Sequence, residues 1–183
     1  MDIQAALQCL IALDPQSAEY MHVLAVLLGQ LTPGKMNANL ANAVMRIANL
    51  SSFEGVWLRR NNRSKKIQVF LKQRPATEAH GNQWHCSGTL MRASENTVEE
   101  VMNRLAETDF GYKIFLKYEF TGCFIVANDE RGTLLSHIYL VQPMDLELGE
   151  KYGQWFDVEN LPENMVPHHL KIIEIAVRCK FPF

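Results

Sequence analysis

The spacing of apolar positions changes near residue 50, and the change divides the chain. Before it the spacing is helical. Ile3, Leu7, Leu10 and Ile11 form one stripe, which Asp14-Pro15 ends. Tyr20, Val23, Leu24, Leu27, Leu28 and Leu31 form a second, stopped by Thr32-Pro33-Gly34, and Met36, Leu40, Val44 and Ile47 form a third. Residues 1–50 therefore read as an all-helical N-terminal extension. From Phe53 onward the runs are short and rich in β-branched and aromatic residues. Residues 55–60 and 67–73 read as strands joined by the turn Asn61-Asn62-Arg63-Ser64. Residues 75–83 form a polar loop that ends at Trp84. Residues 113–127 and 133–142 read as a hairpin around the turn 128–132. A Trp155-Phe156 strand then runs to Leu161-Pro162. Pro167 opens a last helix, with Leu170, Ile173 and Val177 along one side and Ile172 and Ile175 widening it.

Between the two pairs of strands lies the stretch around which the rest is arranged, residues 84–112. A glycine-containing loop leads into a helix with Thr97 as N-cap and Glu100 three residues on, a capping box. Val98, Val101, Met102 and Leu105 make its apolar stripe, and Gly111 closes it. Glu99, Glu100, Asn103 and Glu107 fall mostly on the other side.

Composition narrows the function classes. The 183 residues suit one domain of usual size with an appendage, and a net charge of −2 argues against a dedicated nucleic-acid binder. The N-terminal stripes carry only Asp2, Asp14, Glu19, Lys35 and Arg46, too few basic residues for a helix-turn-helix DNA reader. Such weakly charged helices must bury a face, against each other, the following domain or a second copy of the chain. Cys9, Cys86, Cys123 and Cys179 show no C-x-x-C spacing, so neither a cysteine zinc site nor a disulfide framework is indicated and a cytoplasmic location is expected. No basic region of a signal peptide opens the chain, and its longest apolar run is too short for a bilayer. His168 and His169 sit in the first turn of the last helix, where adjacent residues point apart, so that pair alone does not chelate a metal.

The stretch 84–112 resembles the Nudix box in degenerate form. That pattern runs from a glycine to a glutamate, then an arginine followed by a glutamate, then a glutamate pair and a closing glycine. Gly88, Glu95, Arg104, Ala106 and Gly111 follow it, with one residue too many before Glu95 and again before Arg104. Leu105 stands where the pattern has the glutamate after the arginine, and Thr108 and Asp109 stand for the glutamate pair. The order of parts extends the resemblance over about residues 53–180: basic hairpin, Trp-x-x-x-Gly loop, acidic helix, hairpin, Trp-Phe strand, Leu-Pro, helix.

The resemblance implies an α+β fold, the Nudix α/β/α sandwich with a mixed sheet over residues 53–183. It also implies hydrolysis of nucleoside diphosphate-linked substrates with magnesium or manganese. On that reading Glu95, Arg104 and Asp109 carry catalysis, and Asp109, with Glu100 and Glu107 as displaced ligands, holds the metal. Arg74, Trp84 and Gly88 meet the substrate, and Asp129, Glu130, Asp145 or Glu147 supplies a late carboxylate. The substitutions support a second reading, because leucine and threonine cannot replace charged oxygen ligands. On it the domain binds a nucleotide-like small molecule or a protein partner without catalysis. A third reading, assembly as a homodimer through the N-terminal helices, rests on those helices alone. No membrane partner is expected.

Overall fold

A computed structural model describes residues 12–14, 17–29, 50–92, 94–111, 115, 117–129, 132–143 and 153–181. The chain divides into two compact units, Met1–Ala41 and Asn42–Phe183. In the first, helix α1 spans Ala18–Gly29, and the Ser17 hydroxyl accepts a hydrogen bond from the Tyr20 amide at its start. The helices expected at residues 3–11 and 36–47 lie outside the described residues.

The second unit is built on strands buried on both faces. β1 (Leu50–Val56) sits inside a mixed sheet of order β5-β1-β7-β6. It runs antiparallel to β5 (Ser87–Leu90) and parallel to β7 (Gly132–Gln142), which pairs antiparallel with β6 (Lys117–Asp129). A second sheet is organised by β3 (Ile67–Gln73). It pairs with β2 (Leu58–Arg60), β4 (Trp84–His85) and β8 (Gln154–Asp157). The expected hairpins are both present.

Side chains of a strand alternate between faces, and here each face meets its own helix. Phe53, Trp57, Phe70, Tyr139 and Val141 pack with Val101, Met102, Leu105, Ala106 and Phe110 of α2 (Val98–Phe110). The intervening residues Val56, Leu58, Val69, Leu71 and Ile138 pack with Ile172, Ile173 and Ala176 of α3 (Pro167–Lys180). The result is the α/β/α sandwich expected from the resemblance.

Two helix faces differ from the sequence reading. Val98, at the first position of α2, is 38% exposed; Ala106 and Phe110 complete the buried stripe instead. On α3 the buried set is His169, Ile172, Ile173 and Ala176, while Leu170 is 50% exposed. That set has the i, i+3, i+4, i+7 spacing of one helical face. A buried histidine takes the place an apolar count would give to leucine, because its Nδ1 accepts the Cys86 amide hydrogen at 3.1 Å. Ile173→Ala should cost about 2–5 kcal/mol, and Leu170→Ala less than about 1 kcal/mol. Urea denaturation of the two variants checks this; equal losses would put Leu170 back on the buried face.

Candidate functional site

The ends of β3, β4 and β5 and one side of α2 enclose an open groove of about 660 Å³. The helix beside it, α2, starts at a capping box. The Thr97 hydroxyl accepts from the Glu100 amide at 3.2 Å, and Glu100 Oε2 accepts from the amides of Asn96 and Thr97 at 2.6 and 3.3 Å. At the other end Gly111 adopts the left-handed conformation, φ 74°, and closes the helix.

Arg104 fastens α2 to the loop before it. Its Nε and Nη2 donate to the two carboxylate oxygens of Glu95 at 2.5 and 2.8 Å, Nη2 also donates to the Leu90 carbonyl at 2.9 Å, and Nη1 donates to the Thr89 hydroxyl. This planar fork is the geometry in which arginine grips a carboxylate best. The Arg104 hydrogen bond is the main reason the Glu95 carboxyl titrates below the usual glutamate range, and the Arg92 amide, 2.7 Å away, adds to it.

Gly88 lies on the groove floor opposite Glu54 in the β1–β5 ladder. A Cβ there would stand 2.1 Å from a carboxylate oxygen of Glu54, so a larger residue would have to displace that carboxylate. Glu54 is itself buried, an unheralded acid in strand β1; burial of the Cys86 thiol, with the Glu54 charge adding to it, pushes that thiol well up. A buried thiol shifted that way is a packing group and not a nucleophile.

Of the residues singled out from sequence, Arg74, Gly88, Arg104 and Asp109 line this groove, and Glu95 stands directly behind Arg104. Trp84 does not. Its ring stacks edge-on against Phe156 at 4.9 Å, and its backbone bonds Asn164 and Val166 on the α3 side. Glu100 is engaged by the cap, and Glu107 is exposed on α2 outside the groove lining. Of the late carboxylates, Asp129 is described and lies elsewhere, between His80 and His168. Glu130, Asp145 and Glu147 lie outside the described residues.

Lys72 is the groove residue the sequence reading did not single out from its basic neighbours. Its Nζ sits 3.2 Å from Asp109 Oδ1 and donates to the Asp109 carbonyl at 3.3 Å. The Thr108 hydroxyl donates back along the helix to the Arg104 carbonyl at 2.9 Å. The two positions of the glutamate pair are thus occupied by a hydroxyl turned onto its own helix and a carboxylate matched to an ammonium. That donor set does not fit a magnesium or manganese ion, which needs several anionic or neutral oxygens directed at one point. Lys72, Arg74, Arg92 and Arg104 face the groove, against the carboxylates of Glu78 and Asp109.

No protein-family model matches the sequence, and no curated protein is significantly similar to it. Solved structures are similar in three dimensions. A mutT/nudix family protein from Listeria innocua superposes with a TM-score of 0.57 at 18% identity, covering 72% of this chain and 93% of that one. Shewanella oneidensis NrtR does so with a TM-score of 0.56 at 16% identity, over 70% of this chain but 62% of NrtR. The Nudix domain of the same NrtR, in complex with ADP ribose, gives a TM-score of 0.52 at 17% identity over 83% of this chain and 95% of the domain. The second unit therefore has the Nudix fold, as its degenerate box implied. No helix among the described residues is long and apolar enough to cross a membrane.

The Glu95–Arg104 pair makes a prediction about pH. The folded state holds the Glu95 carboxyl below its unfolded value, so the pair stabilises above the ordinary glutamate pKa of about 4.3 and the contribution disappears as pH falls through the depressed value. The stability lost in Glu95→Gln should therefore be greatest near neutrality and shrink as the solution is acidified below the ordinary glutamate range. A loss independent of pH would show that Glu95 is not acting as a charged partner.

Proposed function

We propose that the domain is a non-catalytic Nudix-fold module that binds a nucleotide-type ligand by its phosphates. The observation that carries this is the Lys72–Asp109 ion pair at the position where the fold's box would gather a metal. An ammonium there keeps N–H donors for a phosphate oxygen, but it cannot bridge oxygens or activate water as a metal does. Arg74 and the exposed Arg92 extend the same cationic wall along the groove. Guanidinium–phosphate hydrogen bonds are short and bidentate, and on a concave surface they fix a diphosphate in one orientation. The likeness to the ADP-ribose-bound Nudix domain of NrtR supports a nucleoside diphosphate derivative as the ligand class. Arg104 is committed to Glu95 and Thr89 and serves as a scaffold for the wall.

The competing reading, a metal-dependent pyrophosphohydrolase, is separated from this one by a single experiment. Calorimetric titration with ADP ribose and related nucleoside diphosphates should show saturable binding that a chelator leaves unchanged. The same ligands incubated with magnesium or manganese should release no phosphate in a phosphatase-coupled assay. Arg92→Ala should weaken binding about tenfold, the worth of one charge-assisted contact near a surface. Chelator-sensitive turnover would overturn the proposal in favour of hydrolysis, and a panel without binding would reject a nucleotide ligand altogether.

A further inference from the structure

Three side chains far apart in sequence meet outside the groove. His80 belongs to the loop between β3 and β4, Asp129 is the last residue of β6, and His168 is in the first turn of α3. His80 Nε2 is 3.0 Å from Asp129 Oδ2, and His168 Nδ1 is 3.6 Å from the same oxygen. The three side chains are 12%, 0% and 9% exposed. We propose that they form a binding site for a first-row divalent cation, zinc by preference, with His80 Nε2, His168 Nδ1 and an oxygen of Asp129 as ligands.

The distances suit such an ion. Zinc–nitrogen and zinc–oxygen bonds of about 2.0–2.1 Å in a tetrahedron place donor atoms about 3.3 Å apart. The observed separations fall on either side of that, and all three donors lie within 4.8 Å of one another. The donor chemistry selects as well. Two imidazoles and one carboxylate suit zinc, whereas magnesium and calcium take oxygen ligands. The three donors also converge on an enclosed point, with no part of the Asp129 side chain in contact with solvent. Three such ligands leave one position of a tetrahedral ion open to water.

The histidines are held in place without the ion. The residue 75–82 loop is pinched at its base, where the Arg74 amide donates to the Gln83 carbonyl and the Asn82 amide to the Arg74 carbonyl, each at 3.0 Å. Within it His80 adopts a left-handed backbone, φ 58°, a conformation that a non-glycine residue holds only when its surroundings impose it. The His168 ring rests against that of His169, 4.6 Å between centroids, and His169 is fixed by the Cys86 amide. A cation here would tie the loop that carries Glu78 to the end of β6 and the start of α3.

The test uses the full chain, stripped with chelator and dialysed against zinc. One equivalent should bind, and the thermal midpoint should rise, because an ion that binds only the folded state stabilises it. Cobalt in place of zinc should give the absorption of tetrahedral nitrogen and oxygen ligation without a thiolate charge-transfer band. His80→Gln and His168→Gln should each weaken zinc binding by at least about 100-fold, since a lost ligand costs no less than the largest loss from a supporting partner. His80 is in a loop, so its variant keeps the test decisive should the helical one fail to fold. Three results would overturn the proposal: no zinc retained at micromolar concentrations, affinity unchanged in His80→Gln, or a thiolate band that traces the metal to the exposed Cys123 or Cys179.

Discussion

Burial of β1, β3 and β7 on both faces is the constraint from which the rest of the second unit follows. A strand of the sequence Phe53-Glu54-Gly55-Val56-Trp57-Leu58 has large apolar groups on alternate sides, so one covering helix would leave half of them in water. Two helices are required, and α2 and α3 take one face each. The connections that carry the chain from strands to α2 must then leave the sheet at its end. There the loop after β5, the second half of α2 and the end of β3 come together. The groove is a consequence of the layering, and its charge is a consequence of which side chains the sequence places at those ends.

Two buried acids show how such a core tolerates charge. Glu54 lies against residue 88, where a Cβ would crowd its carboxylate. Asp129 lies between two imidazoles brought from distant segments. A buried carboxylate sets conditions on the residues around it. Both acids therefore constrain residues that neither touches in sequence. His169 obeys the same rule from the opposite side, a polar ring inside an apolar stripe with its nitrogen on the Cys86 amide.

Period and punctuation made most of this fold legible. The change from helical to alternating spacing marked where the strands begin, and the capping box at Thr97 and the closing Gly111 set α2 to within its observed ends. Where the reading of α3 failed, it failed because apolarity was taken as a proxy for burial, and the buried position belonged to a histidine. The groove was legible only as far as the box residues reached. Arg74, Gly88, Arg104 and Asp109 meet there, but Lys72 was one base among seven in a charged hairpin, and only the register that sets β3 beside β4 places it over Asp109. The meeting of His80, Asp129 and His168 could not be read at all. Three chain segments separated by dozens of residues share no periodicity, and adjacency in space is set by how β6 and α3 end.

The residues of the box fall into two groups with different physical demands. Gly88, Glu95, Arg104 and Gly111 satisfy needs of the chain itself: clearance for a carboxylate, a bidentate ion pair between loop and helix, and a left-handed stop. None of these contacts requires a metal or a substrate, and losing one costs stability whatever the domain does. The positions held by Leu105, Thr108 and Asp109 face different demands. Leu105 is fully buried among Phe53, Trp57 and Met102, where a glutamate would be a desolvated charge. Thr108 caps its own helix carbonyl, and Asp109 is neutralised by Lys72. Returning glutamates to these positions would therefore not simply restore a metal site. It would put one charge into the core and leave another competing with an ammonium already in place. The departure from the pattern is concentrated where the chemistry of hydrolysis is exacting, and the scaffold that surrounds the groove is intact. That division is what a protein retaining recognition without the reaction would be built from.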